Sequence, residues 1–311
     1  MENMLKKLTR RTAHVATLAL GLLAANVMAN PHASGADALP VAGSASEVFI
    51  EIEPFGWGAT DIDTLQGLLR EVHAIYANAR VSAGPARFHV APTHDGPIVL
   101  RDRGPETTYQ VRLSARDGRW YQFAYQYAHE LCHVYANFSL RHMSQSRTNN
   151  ELQWFEESLC EAASLYSLRR LAERWADPGH PWHPSAALFK RYERLLREAP
   201  HRQLPDGESL AQWYEAHAHS LGTDPYQRQK NEVVANHLLT LFEAAPGSIA
   251  SMAYLSRCEG GATGDFEALL KAWHAACPDQ HRQMIEETMA LFGMTPPAAI
   301  ETLPDQSITS Q

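Results

Sequence analysis

The chain has 311 residues, 45% hydrophobic and 20% charged, enough apolar material for a sizeable core, which excludes a disordered, collagen-like or disulfide-only miniprotein. Lys and Arg number 27 against 35 Asp and Glu, a net charge of −8; such an acidic surface repels phosphate backbones, so nucleic acid is not an expected partner. The length allows one large domain or two modest ones.

Residues 1–29 read as a secretory signal: basic Lys6, Lys7, Arg10 and Arg11, an apolar run from Val15 to Ala25, then small residues at Val27 and Ala29. The run falls short of the roughly 20 apolar residues that span a bilayer, so cleavage after Ala29 is expected rather than an anchor helix. Ala13 and His14 stand where a twin-arginine signal carries bulky apolar residues, which favours the ordinary secretory route. Losing four basic residues and Glu2 leaves the mature chain at −11. No later segment is apolar enough to span, so no stable membrane insertion is expected after signal removal, and no Cys precedes Cys132 to carry a lipid. The expected location is periplasmic or secreted. The pattern sets no oligomeric state.

An oxidising compartment permits disulfides among Cys132, Cys160, Cys258 and Cys277. Cys258 and Cys277 flank a Gly-rich turn and one helix and are the expected pair. Cys132 and Cys160 either pair with each other or are buried thiols.

Residues 30–46 are small and polar and read as a flexible leader. An N-terminal α/β subdomain is expected over 47–119. Val48, Ile50 and Ile52 alternate as in a strand, and Asp61 or Asp63 caps a helix carrying Leu65, Leu68, Leu69, Val72, Ile75 and Tyr76. Arg87 to Ala91, Ile98 to Arg101 and Thr108 to Ser114 are short strand-like runs that complete a small mixed sheet, closed by a turn at Asp117-Gly118. From residue 120 to 294 the character is helical, with helices near 120–138, 152–176, 185–198, 208–221, 226–244, 264–276 and 279–292. The loop from Asp177 to Pro184 breaks the chain; its His180-Pro-Trp-His183 run reads as a rigid loop rather than a metal site. Gly260 to Gly264 reads as a hinge or turn, and 295–311 as a flexible tail. The fold class is therefore α+β, a small N-terminal mixed sheet with a helix followed by a mainly helical C-terminal half.

The segment from Tyr127 to Tyr135 contains His129-Glu130-Leu131-Cys132-His133 and no Gly or Pro. On a helix the two His lie one turn apart on one face, so both imidazoles can bind one Zn²⁺ while Glu130 reaches a metal-bound water. Downstream, Trp154-Phe155-Glu156-Glu157-Ser158-Leu159-Cys160-Glu161 offers the carboxylate that a His₂Glu site requires. Across about residues 120–170 the chain resembles the gluzincin zinc peptidases, the thermolysin-like and aminopeptidase-like group, in which a His-Glu-x-x-His helix precedes a helix bearing a glutamate ligand. The resemblance implies a zincin-like fold, one zinc ion per chain and Glu157 as third ligand, with Trp154 three residues before it; Ser158 replaces the usual Gly. Glu156 competes for that role, since adjacent helix positions point about 100° apart and only one can face the metal. Glu157 is favoured because Glu161, one turn on, shares its face and can accept a hydrogen bond from a ligand imidazole.

The activity so implied is an exported zinc-dependent metallopeptidase acting on peptide or protein substrates, with Glu130 as general base beside an acidified water. The candidates for stabilising the oxyanion are Tyr226, His217, His219 and His237. Thr108 to Ser114 stands where the resembled peptidases align extended substrate by strand addition; its other reading is an ordinary sheet strand. The alternatives are a zinc hydrolase restricted to cell-wall peptide and a periplasmic binding or scaffold protein with a non-catalytic metal.

Overall fold

The computed structural model of the protein describes residues 48–77, 86–101, 108–137, 151–258 and 265–297. The expected signal and leader, the Gly260 to Gly264 turn and the tail beyond residue 297 lie outside the described residues.

Four strands form at the expected runs: β1 (Val48–Ile52), β2 (Ala86–Pro92), β3 (Ile98–Arg101) and β4 (Thr108–Leu113). They make one sheet of order β1-β2-β4-β3, with β1, β2 and β4 parallel and β3 antiparallel to β4. Parallel neighbours cannot be joined by a tight hairpin, and α1 (Ile62–Tyr76) lies in the β1–β2 connection. Of the two candidate caps, Asp61 holds the position: its carboxylate accepts from the Thr64 amide at 2.8 Å. Leu65, Leu68, Leu69, Val72 and Tyr76 follow at helical spacing and are fully buried.

The sheet order corrects one expectation. Thr108 to Ser114 does not offer an edge, because β4 is hydrogen-bonded to β2 on one side and β3 on the other. The edge beside the helical half is the four-residue β3. Alternation within a strand reports which face is buried, not which strands pair with it.

Asp117 and Gly118 both adopt left-handed backbone, φ 57° and 64°, which Gly tolerates without strain and Asp tolerates better than most residues. The turn is locked to the loop before α1: the Asp117 carboxylate accepts from the Ala59 amide at 3.0 Å, and the Gly118 amide donates to Thr60 Oγ1 at 3.0 Å. This fixes where the next helix begins.

The helical half comprises α2 (Trp120–Ala136), α3 (Gln153–Arg174), α4 (His183–Arg197), α5 (Leu210–Thr223), α6 (Arg228–Ala244), α7 (Phe266–Ala276) and α8 (Asp279–Leu291). A 3₁₀ segment, Pro246–Arg257, occupies a stretch where no element was expected. Among the described residues, no helix is long and apolar enough to cross a membrane. α3 is the axis, packed by α2, α4 and α6. Its buried serine hydroxyls are satisfied within the helix: Ser158, Ser164 and Ser167 donate to the carbonyls of Trp154, Cys160 and Ala163 at 2.7–2.9 Å. Small Ala162 and Ala163 let neighbours approach closely. In the Asp177 to Pro184 loop Trp182 stacks on Trp175 at 5.1 Å and His183 Nδ1 donates to the Trp175 carbonyl at 3.0 Å.

Cys132 of α2 and Cys160 of α3 form a disulfide, with Cα atoms 5.2 Å apart. The expected Cys258–Cys277 bridge is absent, and both residues are buried free thiols. Each sulfur instead lies near a backbone carbonyl, Tyr254 for Cys258 at 3.6 Å and Ser251 for Cys277 at 3.8 Å. Burial pushes both thiols up to about 12. Nearness in sequence does not supply the facing Cβ geometry that a bridge needs.

The cap assignment is checked by urea unfolding of two variants. Asp61→Ala should lower stability by about 1 kcal/mol, whereas Asp63→Ala, which loses only a favourable charge at the helix start, should cost a few tenths of a kcal/mol.

Candidate metal centre

α2 has no helix breaker and ends at Asn137, whose left-handed backbone (φ 49°) lets its amide donate to the His133 carbonyl at 2.8 Å. Gln126 fastens the start of the helix to the sheet, its Oε1 accepting from the Ser114 and Ala115 amides at 2.9 and 3.0 Å. His129 and His133 face α3 from this helix.

The three expected ligands come together. His129 Nε2 lies 3.2 Å from His133 Nε2 and 3.4 Å from Glu157 Oε2, and His133 Nε2 lies 3.7 Å from that same oxygen. A tetrahedral ion with bonds of about 2.0–2.2 Å sets its ligand atoms about 3.3–3.6 Å apart. The triangle of donors thus matches a single tetrahedral ion, and His129, His133 and Glu157 can hold a metal.

The far sides of both rings face carboxylates. His129 Nδ1 is 3.8 Å from Glu161 Oε2, as expected for Glu161, and His133 Nδ1 is 3.5 Å from Glu156 Oε2. Glu156 is therefore not the ligand but the counterpart of Glu161 for the second imidazole, a role the sequence reading missed. Both carboxylates can fix ring orientation and raise ligand basicity. Trp154 serves the core, packed on Phe266 at 4.9 Å and on Tyr214 at 5.4 Å.

The charges gathered here favour a positive group. Burial alone would depress His133, but the Glu157 and Glu156 carboxylates outweigh it and hold the imidazole well above its usual range. Burial would raise Glu157, yet the two imidazoles hold it well below the usual carboxylate range. Four carboxylates, Glu130, Glu156, Glu157 and Glu161, crowd two imidazoles, an excess of negative charge that a divalent cation could offset.

Glu161 belongs to a second layer. The Tyr125 hydroxyl donates to its Oε1, and Arg202 Nη1 lies 2.7 Å from the same oxygen. Burial is overcome by Arg202, Arg228 and His129, so its carboxyl falls to about 2. Arg202, itself buried, also contacts Glu232 Oε1 at 2.9 Å. These groups had no local signature apart from the helical spacing of Arg228 and Glu232.

Glu130 lies in the same cleft, buried beside the metal ligands without being one. Burial raises its carboxyl, opposed by both imidazoles and by a hydrogen bond from the Val99 backbone of β3. Of the four oxyanion candidates, only Tyr226 lines this cleft of about 90 Å³. Its hydroxyl accepts from Gln153 Nε2 at 2.8 Å, and burial together with the Glu157 charge raises its pKa, keeping it protonated. His217 instead stacks on Trp213 at 4.4 Å, His219 is exposed, and His237 is half-buried away from the cleft.

The site makes a measurable claim about metal. Purified protein should carry one divalent metal ion per chain by elemental analysis, and His129→Ala or Glu157→Gln should carry less than about a tenth of that. Chelation should lower the melting temperature, because a ligand that binds only the folded state stabilises it, about 2.7 kcal/mol at a hundredfold excess over Kd. No family model matches the chain and no curated protein matches its sequence, so the metal centre rests on the geometry of these residues alone.

Proposed function

We propose that the protein is an exported zinc-dependent peptidase of gluzincin type and zincin-like fold, hydrolysing peptide bonds. The observation that carries this reading is the placement of Glu130: a buried carboxylate in the cleft beside three converging ligand atoms and not itself among them. A purely structural metal site has no need of such a group.

Zinc bound by His129, His133 and Glu157 supplies Lewis acidity, acidifying water and polarising a carbonyl. The Glu130 carboxylate takes the proton from the attacking water as its oxygen bonds to the scissile carbon. It then delivers that proton to the departing nitrogen as the C–N bond breaks. Tyr226, which lines the cleft, would donate its hydroxyl hydrogen to the developing oxyanion, since Gln153 donates to its oxygen and leaves that hydrogen available. Substrate would align against β3, the edge strand beside the helical half, rather than β4.

The test is hydrolysis of a mixed peptide library alongside zinc content. Glu130→Gln should retain zinc and lose activity by a factor of about 10² or more, and Tyr226→Phe should lower kcat by about 10²-fold with little change in KM. A zinc-loaded wild type as inactive as Glu130→Gln would sink the peptidase reading in favour of a binding or scaffold role.

A further inference from the structure

We infer that Arg228 and Asn231 form a subsite for the free C-terminal residue of a short peptide, with the guanidinium taking its carboxylate. This deepens the peptidase reading and rests on it for the identity of the substrate.

Arg228 is the one cation that lines the cleft among the described residues. Its guanidinium is held from two sides: Nε donates to Glu232 Oε1 at 2.6 Å and Nη2 to the Tyr125 hydroxyl oxygen at 3.1 Å. Among the described residues Nη1 makes no hydrogen bond, and the side chain is 41% exposed. The fork is thus oriented by the protein with one edge left for a ligand, and a planar guanidinium suits a carboxylate.

The acidic groups of the same wall are already engaged. Glu232 Oε1 faces Arg202 and Arg228 while its Oε2 meets His201 Nε2 at 3.0 Å. Glu161 Oε1 is engaged by Tyr125 and Arg202, and its Oε2 faces His129. A substrate ammonium would find these carboxylates occupied, whereas a substrate anion finds a donor waiting.

Asn231 adds a second requirement. It lines the same cleft and lies three residues after Arg228, on one face of α6. Its Nδ2 donates to the Pro225 carbonyl at 2.8 Å, and a carbonyl can only accept, so the amide orientation is fixed. That leaves Oδ1, among the described residues, as a buried acceptor without a donor. A buried polar atom in that condition is costly unless a ligand or water completes it. The last residue of a peptide presents both complements together, a carboxylate and, one carbon away, an amide N–H.

The experiment reads binding as well as turnover. Acetyl-tetraalanine with a free C-terminus, its C-terminal amide, and an amidated acetylated peptide bearing one Glu side chain are titrated calorimetrically into the metal-free and the zinc-loaded chain. The free acid should bind about tenfold more tightly than either amide, as expected for one charge-assisted pair. Arg228→Gln should abolish that preference, Arg228→Lys should keep part of it, and Asn231→Leu should weaken the free acid selectively. Circular dichroism establishes that each variant is folded, and the ratio within each protein cancels general losses. Equal binding of all three peptides to the wild type, or a preference that survives Arg228→Gln, overturns the subsite. Tight binding of the Glu-bearing amide overturns the assignment to a chain terminus and points to acidic side chains. Absence of hydrolysis would sink the peptidase reading and leave these affinities standing, whereas hydrolysis blind to the terminus would sink the subsite alone.

Discussion

Carboxylates gathered in a protein interior are tolerated only where positive charge is brought to them. Glu130, Glu156, Glu157 and Glu161 all lie within the influence of His129 and His133, and Arg202 and Arg228 answer chiefly Glu161 and Glu232. The ligand triangle is where the unanswered charge accumulates. A divalent ion there would meet three donors and offset the charge of the cluster, so donor spacing and electrostatics point to the same place.

The rest of the architecture holds two helices in register around that point. α3 meets α2 through small residues and serines whose hydroxyls are satisfied within the helix, so the backbones can approach without stranding polar groups. The Cys132–Cys160 bridge lies one residue from His133 and three from Glu157, tying together the two elements that supply the ligands. The sheet's contribution is narrower: β3 brings the Val99 amide to Glu130, and Gln126 anchors the end of β4 to α2.

The wall behind and beside the ligands, built from α3, α6 and the short 200–202 turn, is unequal in its two layers. Its inner part, Arg202 with Glu161 and Glu232, is buried and mutually satisfied, suited to holding His129 still. Its outer part, Arg228 and Asn231, keeps unfilled donor and acceptor capacity at the cleft. Rigidity behind the metal and open valence in front of it is the arrangement expected where one layer positions and the next one recognises.

Much of this was legible in the chain itself. Spacing of four between His129 and His133 on a breaker-free segment dictates a shared helix face, and the 100° step between Glu156 and Glu157 dictates that only one reaches the ion. The strands and every α-helix of the described residues lie where periodicity and turn residues put them. What spacing within one element could not say is which elements meet. The edge position of β3, the bridging of Cys132 with Cys160 instead of Cys258 with Cys277, the facing of Glu156 to His133, and the gathering of Arg202, Arg228 and Glu232 behind Glu161 are contacts between segments far apart in the chain. Periodicity encodes which face of a helix or strand is buried, because burial is a local average over neighbours; pairing and partner identity come from packing of distant elements, so only the tertiary structure decided them.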